Sequence, residues 1–172
     1  DRPSVELSVA SNDFIFNGYS VGKMQAVSQF NHNTQSLDFE GKVSNDSAMS
    51  AATLKGKWFV FRDSLFIAGE AHQLRLRFIE KFVKTILAEV DGYGTGWFRL
   101  GANLKEGSTT VETKAAVDKG RIKIDILGSD FYFSDTLELT KDKIIIDNIE
   151  LFDSQGNKAI ANGYVSHRHF ID

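Results

Sequence analysis

Residues 36–44 read Ser-Leu-Asp-Phe-Glu-Gly-Lys-Val-Ser, and this stretch is the clearest guide to the fold. Leu37, Phe39 and Val43 alternate with charged side chains, which is the period of a strand with one apolar and one solvated face. The same period recurs along most of the chain, and turn signals such as Asn17-Gly18 and Gln155-Gly156 interrupt it at short intervals. The sequence therefore predicts a mainly β protein built as an antiparallel meander of short strands.

One segment has a different period. Apolar residues recur there at steps of three and four, and the glycine-rich stretch 92–96 follows as a stop signal. These apolar positions are Leu76, Ile79, Phe82, Val83, Ile86, Leu87 and Val90. We expect one amphipathic helix near residues 75–90.

Composition narrows the function classes. The 172 residues contain one Pro and no Cys, and 20 basic side chains stand against 23 acidic ones. Nucleic acid is not an expected partner because the chain has no excess of basic side chains. Catalysis by a cysteine thiol is excluded because the chain has no Cys. We expect one β-rich domain over residues 1–172, and because the chain begins with Asp1 rather than Met, we expect it to be a segment of a larger protein.

Candidate chemical sites are few. His167 and His169 occupy alternate strand positions and could present two imidazoles to zinc, but no spacing supplies a third ligand from His32, His72 or Asp172. Carboxylates that could form a hydrolytic pair lie near strand ends, where Asp is common for backbone reasons. They are Asp125, Asp130, Asp135, Asp147 and Asp153. The sequence therefore predicts no catalysis, no metal and no cofactor.

The apolar side of the C-terminal strands is the unusual feature, because only one helix is available to cover it. Two sheets could pack face to face as a sandwich, or one curled sheet could leave an apolar groove. In the second interpretation a lipid chain is the candidate ligand. The predicted lining is Ile122, Ile124, Ile126, Phe131, Phe133, Ile144 and Ile146.

The run from Ile144 to Asp172 resembles the TamB (translocation and assembly module) family, in a form similar to Bacteroidetes members. Members repeat a strand, then an Asp-x-x-Gly-Asn turn, then small, β-branched, His, Phe and Asp positions in order. The matching residues here are Asp153, Gly156, Asn157, Ala159, Gly163, Val165, His167, Phe170 and Asp172. Residues 128–135 also resemble the aromatic strand of that family, and the stretch 74–101 resembles its helix and Gly-x-Gly turn.

The resemblance implies a periplasmic protein that is anchored in the inner membrane by a segment outside this chain. It implies a long β-sheet curled into an apolar groove, a role in outer-membrane biogenesis and protein assembly, and, as in related AsmA-like proteins, transport of phospholipid between membranes. The implied partners are phospholipid acyl chains and an outer-membrane assembly protein of the TamA type. The motif residues themselves are expected to be structural.

A different class of function stays open. A β-sandwich module could bind surface glycan or protein through exposed aromatic side chains, for which Trp58, Tyr93 and Trp97 are the candidates. Glycan sites favour exposed aromatic platforms, so burial of both Trp residues would remove this alternative.

Overall fold

The structure is a computed structural model that describes residues 6–16, 18–44, 50–80, 88–124 and 127–166. Ten strands account for most of them, with short 3₁₀ turns at Val60–Arg62 and Leu76–Ile79. The strands are β1 (Glu6–Phe16), β2 (Tyr19–Asn31), β3 (Ser36–Ser44), β4 (Ser50–Phe59), β5 (Ser64–Arg75), β6 (Glu89–Asn103), β7 (Ser108–Ile124), β8 (Ser129–Leu139), β9 (Lys143–Phe152) and β10 (Lys158–Ser166).

All ten strands form one antiparallel sheet in the order of the sequence, so the meander predicted from the alternation is confirmed. The sheet does not close, and β1 and β10 are its two edges. The described strands are thus arranged as one sheet, and the sandwich interpretation, which needs two, is wrong. Helix is almost absent from the described residues.

The predicted helix near 75–90 differs from the structure at both ends. Arg75 still belongs to β5, and β6 already begins at Glu89. Residues at both ends of the predicted helix are in strands instead, because they pair with neighbouring strands: Val90 lies opposite Ile122, and Arg75 lies opposite Tyr93. Residues 81–87, the middle of the predicted helix, lie outside the described residues.

The register divides the sheet into two chemically distinct faces. One cross-strand row joins Ala26, Gly41, Leu54, Gly69 and Phe98, and it defines what we call the apolar face. The adjacent row on the other side, the charged face, runs from Glu40 through Lys55 and Ala68 to Arg99 and Glu112. Side chains on the apolar face are mostly half-buried, whereas those on the charged face are mostly exposed. The sheet therefore curls toward its apolar face.

Salt bridges between register partners line the charged face. Lys55 Nζ lies 3.2 Å from Glu40 Oε1, and Lys114 Nζ lies 3.4 Å from Glu138 Oε2. Exposed pairs of this kind contribute at most about 1 kcal/mol each. Their main consequence is that this face stays solvated, which leaves the opposite face as the only continuous apolar surface of the described sheet.

Irregular residues interrupt several ladders at corresponding positions. Gln73, Lys119 and Asn148 have φ near +50°, and register shifts occur beside each of them. Polar side chains of the next strand accept the freed N–H groups: Thr95 Oγ1 is 3.0 Å from Gln73 N, and Asn162 Oδ1 is 2.8 Å from Asn148 N. Such bulges bend and twist a strand. Together they form a crease across β5–β10, and the bulge at Lys119 lies within β7.

The buried core lies at this crease. Val117, Phe133 and Ile149 pack together there, and Leu76 from the 3₁₀ turn contacts the cluster. Few other described side chains are fully buried. The chain exposes 11385 Å² of surface, against about 8,400 Å² for a compact monomer of this mass. The apolar face is thus covered by no second layer of described secondary structure.

Candidate functional site

A row of apolar-face positions crosses β1 to β6 on the side toward which the sheet curls, and we call this row the trough. Its six residues are Val9, Ala26, Gly41, Leu54, Gly69 and Phe98. On the opposite side of the same backbone, a depression of about 1080 Å³ lies between the two flanking rows of charged-face side chains, with Glu40 and Lys42 of β3 among them.

The depth of this trough comes from small residues placed between large ones. Ala26 and Gly41 are the small members of the row, and a Cβ on Gly41 would meet Leu54 Cδ1 at 3.3 Å and the Gln25 carbonyl oxygen at 3.4 Å. Beyond Leu54, the ring of Phe98 lies over Gly69. The row carries no charged side chain. Its surface can therefore hold hydrocarbon but offers no group for acid, base or metal chemistry.

The length of the trough suits an extended apolar ligand. Six strands spaced about 4.8 Å apart span about 24 Å. One leaflet of a bilayer holds acyl chains within about 15 Å, half of the hydrocarbon core. A fatty acyl chain lying across the strands would contact the row along its full length.

The lipid-lining residues predicted from the sequence lie on the same face but nearer the crease. Ile122 is opposite Phe131, and Ile144 is opposite Val165, while Ile124 and Ile146 follow at alternate positions. Phe133, in contrast, is buried in the core, and Ile122 and Ile146 pack against that core. They fill the crease rather than leave it open. Ile126 lies outside the described residues.

Sequence reasoning missed the trough between β1 and β6. The signal was present in residues 24–30 and 37–43, where Ala26 and Gly41 replace bulky residues at apolar positions. Which small residue faces which large one depends on register, and alternation within one strand does not specify that register. The set could have been found only after the strands were paired.

The family-motif turn between β9 and β10 is held by one carboxylate. Asp153 Oδ1 accepts hydrogen bonds from the backbone N–H groups of Gln155 and Asn157, each at 2.8 Å, and Oδ2 accepts one from Asn157 Nδ2 at 2.9 Å. The side-chain bond from Asn157, followed by the backbone bonds, holds the pKa of Asp153 below its usual value. Gly156 adopts φ +82°, which favours glycine. These interactions orient the hairpin.

The remaining motif positions follow along β10. Ala159 is opposite Leu151, and Gly163 is opposite Ile146, so both lie on the apolar face, as does Val165. Here small residues face bulky aliphatic ones across the ladder. His167, Phe170 and Asp172 lie outside the described residues.

The three aromatic residues of the glycan alternative do not form one platform. Trp58 is opposite Leu37 on the apolar face, whereas Tyr93 and Trp97 lie on the charged face of β6. All three are partly exposed, and the Arg99 guanidinium lies 5.3 Å from the centre of the Trp97 ring. A ligand could contact Tyr93 and Trp97 together, but not Trp58.

The fold does not bring the described candidate metal ligands or carboxylates together into a site. Within the described ranges, no three His, Asp or Glu side chains form a group that could hold a metal ion. His32 lies in the turn after β2 and His72 lies in β5, while His167 and His169 fall outside the described residues. Asp130 and Asp135 occupy opposite faces of β8, Asp147 is exposed in β9, and Asp125 is not described.

None of the helical residues that the structure describes forms a helix of the length and hydropathy that a bilayer crossing requires. Comparison of the chain with protein-family models, with curated proteins and with solved structures finds no match.

Proposed function

We propose that this chain is a non-enzymatic, periplasmic segment of a TamB-like envelope protein whose apolar face shelters acyl chains of phospholipids. The observation that carries the proposal is the apolar face itself. It is continuous across the paired strands, the sheet curls toward it, and no described layer covers it. An apolar surface of this extent on a soluble sheet indicates an apolar ligand or partner.

The driving force for such binding is adequate without any polar contact. Each buried CH₂ group contributes about 0.8 kcal/mol, so ten groups supply about 8 kcal/mol before the costs of association. The charged face keeps the opposite side in water. A chain of this kind could hold a lipid tail within the sheet while its head group remains solvated.

The wider role follows from the resemblance. In the proposal, the parent protein is anchored in the inner membrane outside this chain and acts in outer-membrane biogenesis and protein assembly. It would work with an outer-membrane assembly protein of the TamA type and carry phospholipid between the membranes. The motif of β9 and β10, with Asp153 in the hairpin, supports this placement.

Two valines offer a matched test of the proposal. Val9 lies on the apolar face of β1 and is 45% exposed, and Val27 lies on the charged face of β2 and is 47% exposed. Val9→Glu puts a carboxylate into the trough, whereas Val27→Glu adds the same charge on the other side. Neither position is in the buried core.

The measurement is native mass spectrometry of the chain after mild extraction from bacteria, together with binding of a spin-labelled or fluorescent fatty acid. We expect co-purified phospholipid with the unmodified chain and with Val27→Glu, and a loss of about tenfold in fatty-acid affinity for Val9→Glu. Equal binding by both variants, or repeated recovery of a lipid-free unmodified chain, contradicts the proposal.

A further inference from the structure

A second depression lies on the charged face, on the other side of the sheet from the acyl trough. Its volume is about 720 Å³, within the range of small-molecule sites. The register joins four of its residues in one row across β6 to β9: Asp91, Arg121, Tyr132 and Phe152. The bulges at Gly92 and Lys119 lie beside this row, so the crease creates the depression.

The polar groups around the depression are held in place by ion pairs. Arg75 binds Asp91 with two hydrogen bonds, Nε to Oδ1 at 3.1 Å and Nη2 to Oδ2 at 2.9 Å. Arg121 Nη2 lies 2.6 Å from Glu89 Oε2. The hydrogen bond from Arg75 holds the pKa of Asp91 below its usual value, so this pair persists at neutral pH. Donors and acceptors are thus fixed before any ligand arrives.

Aromatic rings interrupt the otherwise charged surface at the same place. Tyr93, Tyr132 and Phe152 line the depression and remain exposed, although aromatic rings are ordinarily buried when a core is available. Tyr132 and Phe152 are register partners on neighbouring strands. Their flat faces and the fixed polar groups occupy one concave surface.

We propose that this depression binds a neutral saccharide. Sugar rings present C–H faces that stack on aromatic rings, and their hydroxyl groups need both donors and acceptors, which the arginine–carboxylate pairs supply. Arg75 is paired with Asp91 and Arg121 with Glu89, while Lys119 and Glu150 add one charge of each sign to the lining. Charge balance of this kind favours a neutral ligand over a phosphate or other polyanion.

The position of the depression within the sheet argues against a peptide ligand. Extended peptides gain affinity by pairing with an open strand edge. The depression spans β5 to β9, whose backbone groups are already bonded on both sides, whereas the open edges are β1 and β10. A peptide on this surface would find no main-chain partners, and a sugar needs none.

The test uses the unmodified chain and four probes: cellohexaose, tri-N-acetylchitotriose, inorganic phosphate and an uncharged hexapeptide. Aromatic and backbone NMR signals are followed during each titration. We expect at least one oligosaccharide to shift the signals of Tyr132 and Phe152, with no shift from phosphate or peptide. Saturation by fatty acid leaves this response unchanged, so the outcome is independent of the acyl-binding proposal.

Two variants and a control complete the experiment. Tyr132→Leu and Phe152→Leu keep apolar bulk and strand propensity but remove the flat ring, and each should weaken saccharide binding about tenfold. Ile160→Leu, an exposed position on β10 outside the depression, should leave binding unchanged. The proposal is overturned if neither oligosaccharide shifts these signals, if phosphate or the peptide shifts them instead, or if the ring variants bind as tightly as the control.

Discussion

The ring of Phe98 on β6 lies over Gly69 on β5, so close that a Cβ on residue 69 would come within 2.6 Å of the ring Cζ. The same position would also conflict with the carbonyl oxygen of Thr53. Phe39 covers Gly56 and Phe133 covers Gly120 in the same way, each as a register partner. Cross-strand pairs of glycine with an aromatic residue thus give the apolar face a smooth surface, because each ring fills the place of the missing side chain.

The first prediction concerns this pairing. Gly69→Ala should lower the free energy of unfolding by about 1–3 kcal/mol because the backbone of Thr53 cannot move aside without disturbing the ladder. Gly41→Ala is the matched control, since it lies in the same row and its nearest neighbour is the flexible end of Leu54. Urea denaturation measures both. Equal midpoints for the two variants would show that the close approach does not constrain the sheet.

The second prediction locates the core. Ile149 is 3% exposed at the crease and Ile160, on the neighbouring strand, is 60% exposed on the charged face. Ile149→Ala should cost about 2–4 kcal/mol, while Ile160→Ala should change stability by less than about 0.5 kcal/mol. Thermal and urea unfolding followed by circular dichroism compare them. A similar small loss for both variants is incompatible with a core at the crease.

The third prediction uses pH. Because the folded pKa of Asp91 lies below its unfolded value of 3.8, its stabilising effect is present above that value and is lost as pH falls through the folded pKa. Asp91→Asn should therefore be less stable than the unmodified chain at pH 7, by about 0.5–1 kcal/mol for such a partly exposed pair. The difference should shrink as pH falls below 3.8 toward pH 2. Denaturation at both pH values measures it, and a pH-independent difference would exclude the Arg75 pair as its cause.

The fourth prediction tests whether the trough must be empty. Ala26→Phe places a ring beside Gly41 in the middle of the trough and should reduce fatty-acid binding about tenfold. Ala68→Phe puts the same ring on the charged face of β5 and should leave binding unchanged. Fluorescent fatty-acid titration compares the two variants. Retained affinity in Ala26→Phe would place the acyl site elsewhere.

Much of the fold could be predicted from alternation within single strands. The stretch 36–44 coincides with β3 because that strand presents one apolar and one polar face whatever its partners are. The C-terminal end of the predicted helix is wrong because Glu89 and Val90 pair with Lys123 and Ile122 of β7. That gain depends on neighbours that local periodicity does not include.

The sequence predicts the chemical character of the candidate site but not its location. An apolar, uncovered face follows from the scarcity of helix and from alternation, and the residues named for it in β7–β9 do lie on that face. Their location at the filled crease, and the row of smaller residues at Val9, Ala26 and Gly41, depend on which strands pair and in which register.

The sequence by itself determined the strand class, the polarity of the two faces and the turn chemistry of Asp153 and Gly156, since these depend on residues that are close along the chain. Tertiary structure decided the rest. It aligned the bulges at Gln73, Lys119 and Asn148 into one crease, set Phe98 against Gly69, and brought Asp91, Arg121, Tyr132 and Phe152 into one row. The physical reason is that register couples residues far apart in sequence, and small residues become open space only when their cross-strand partners are in place.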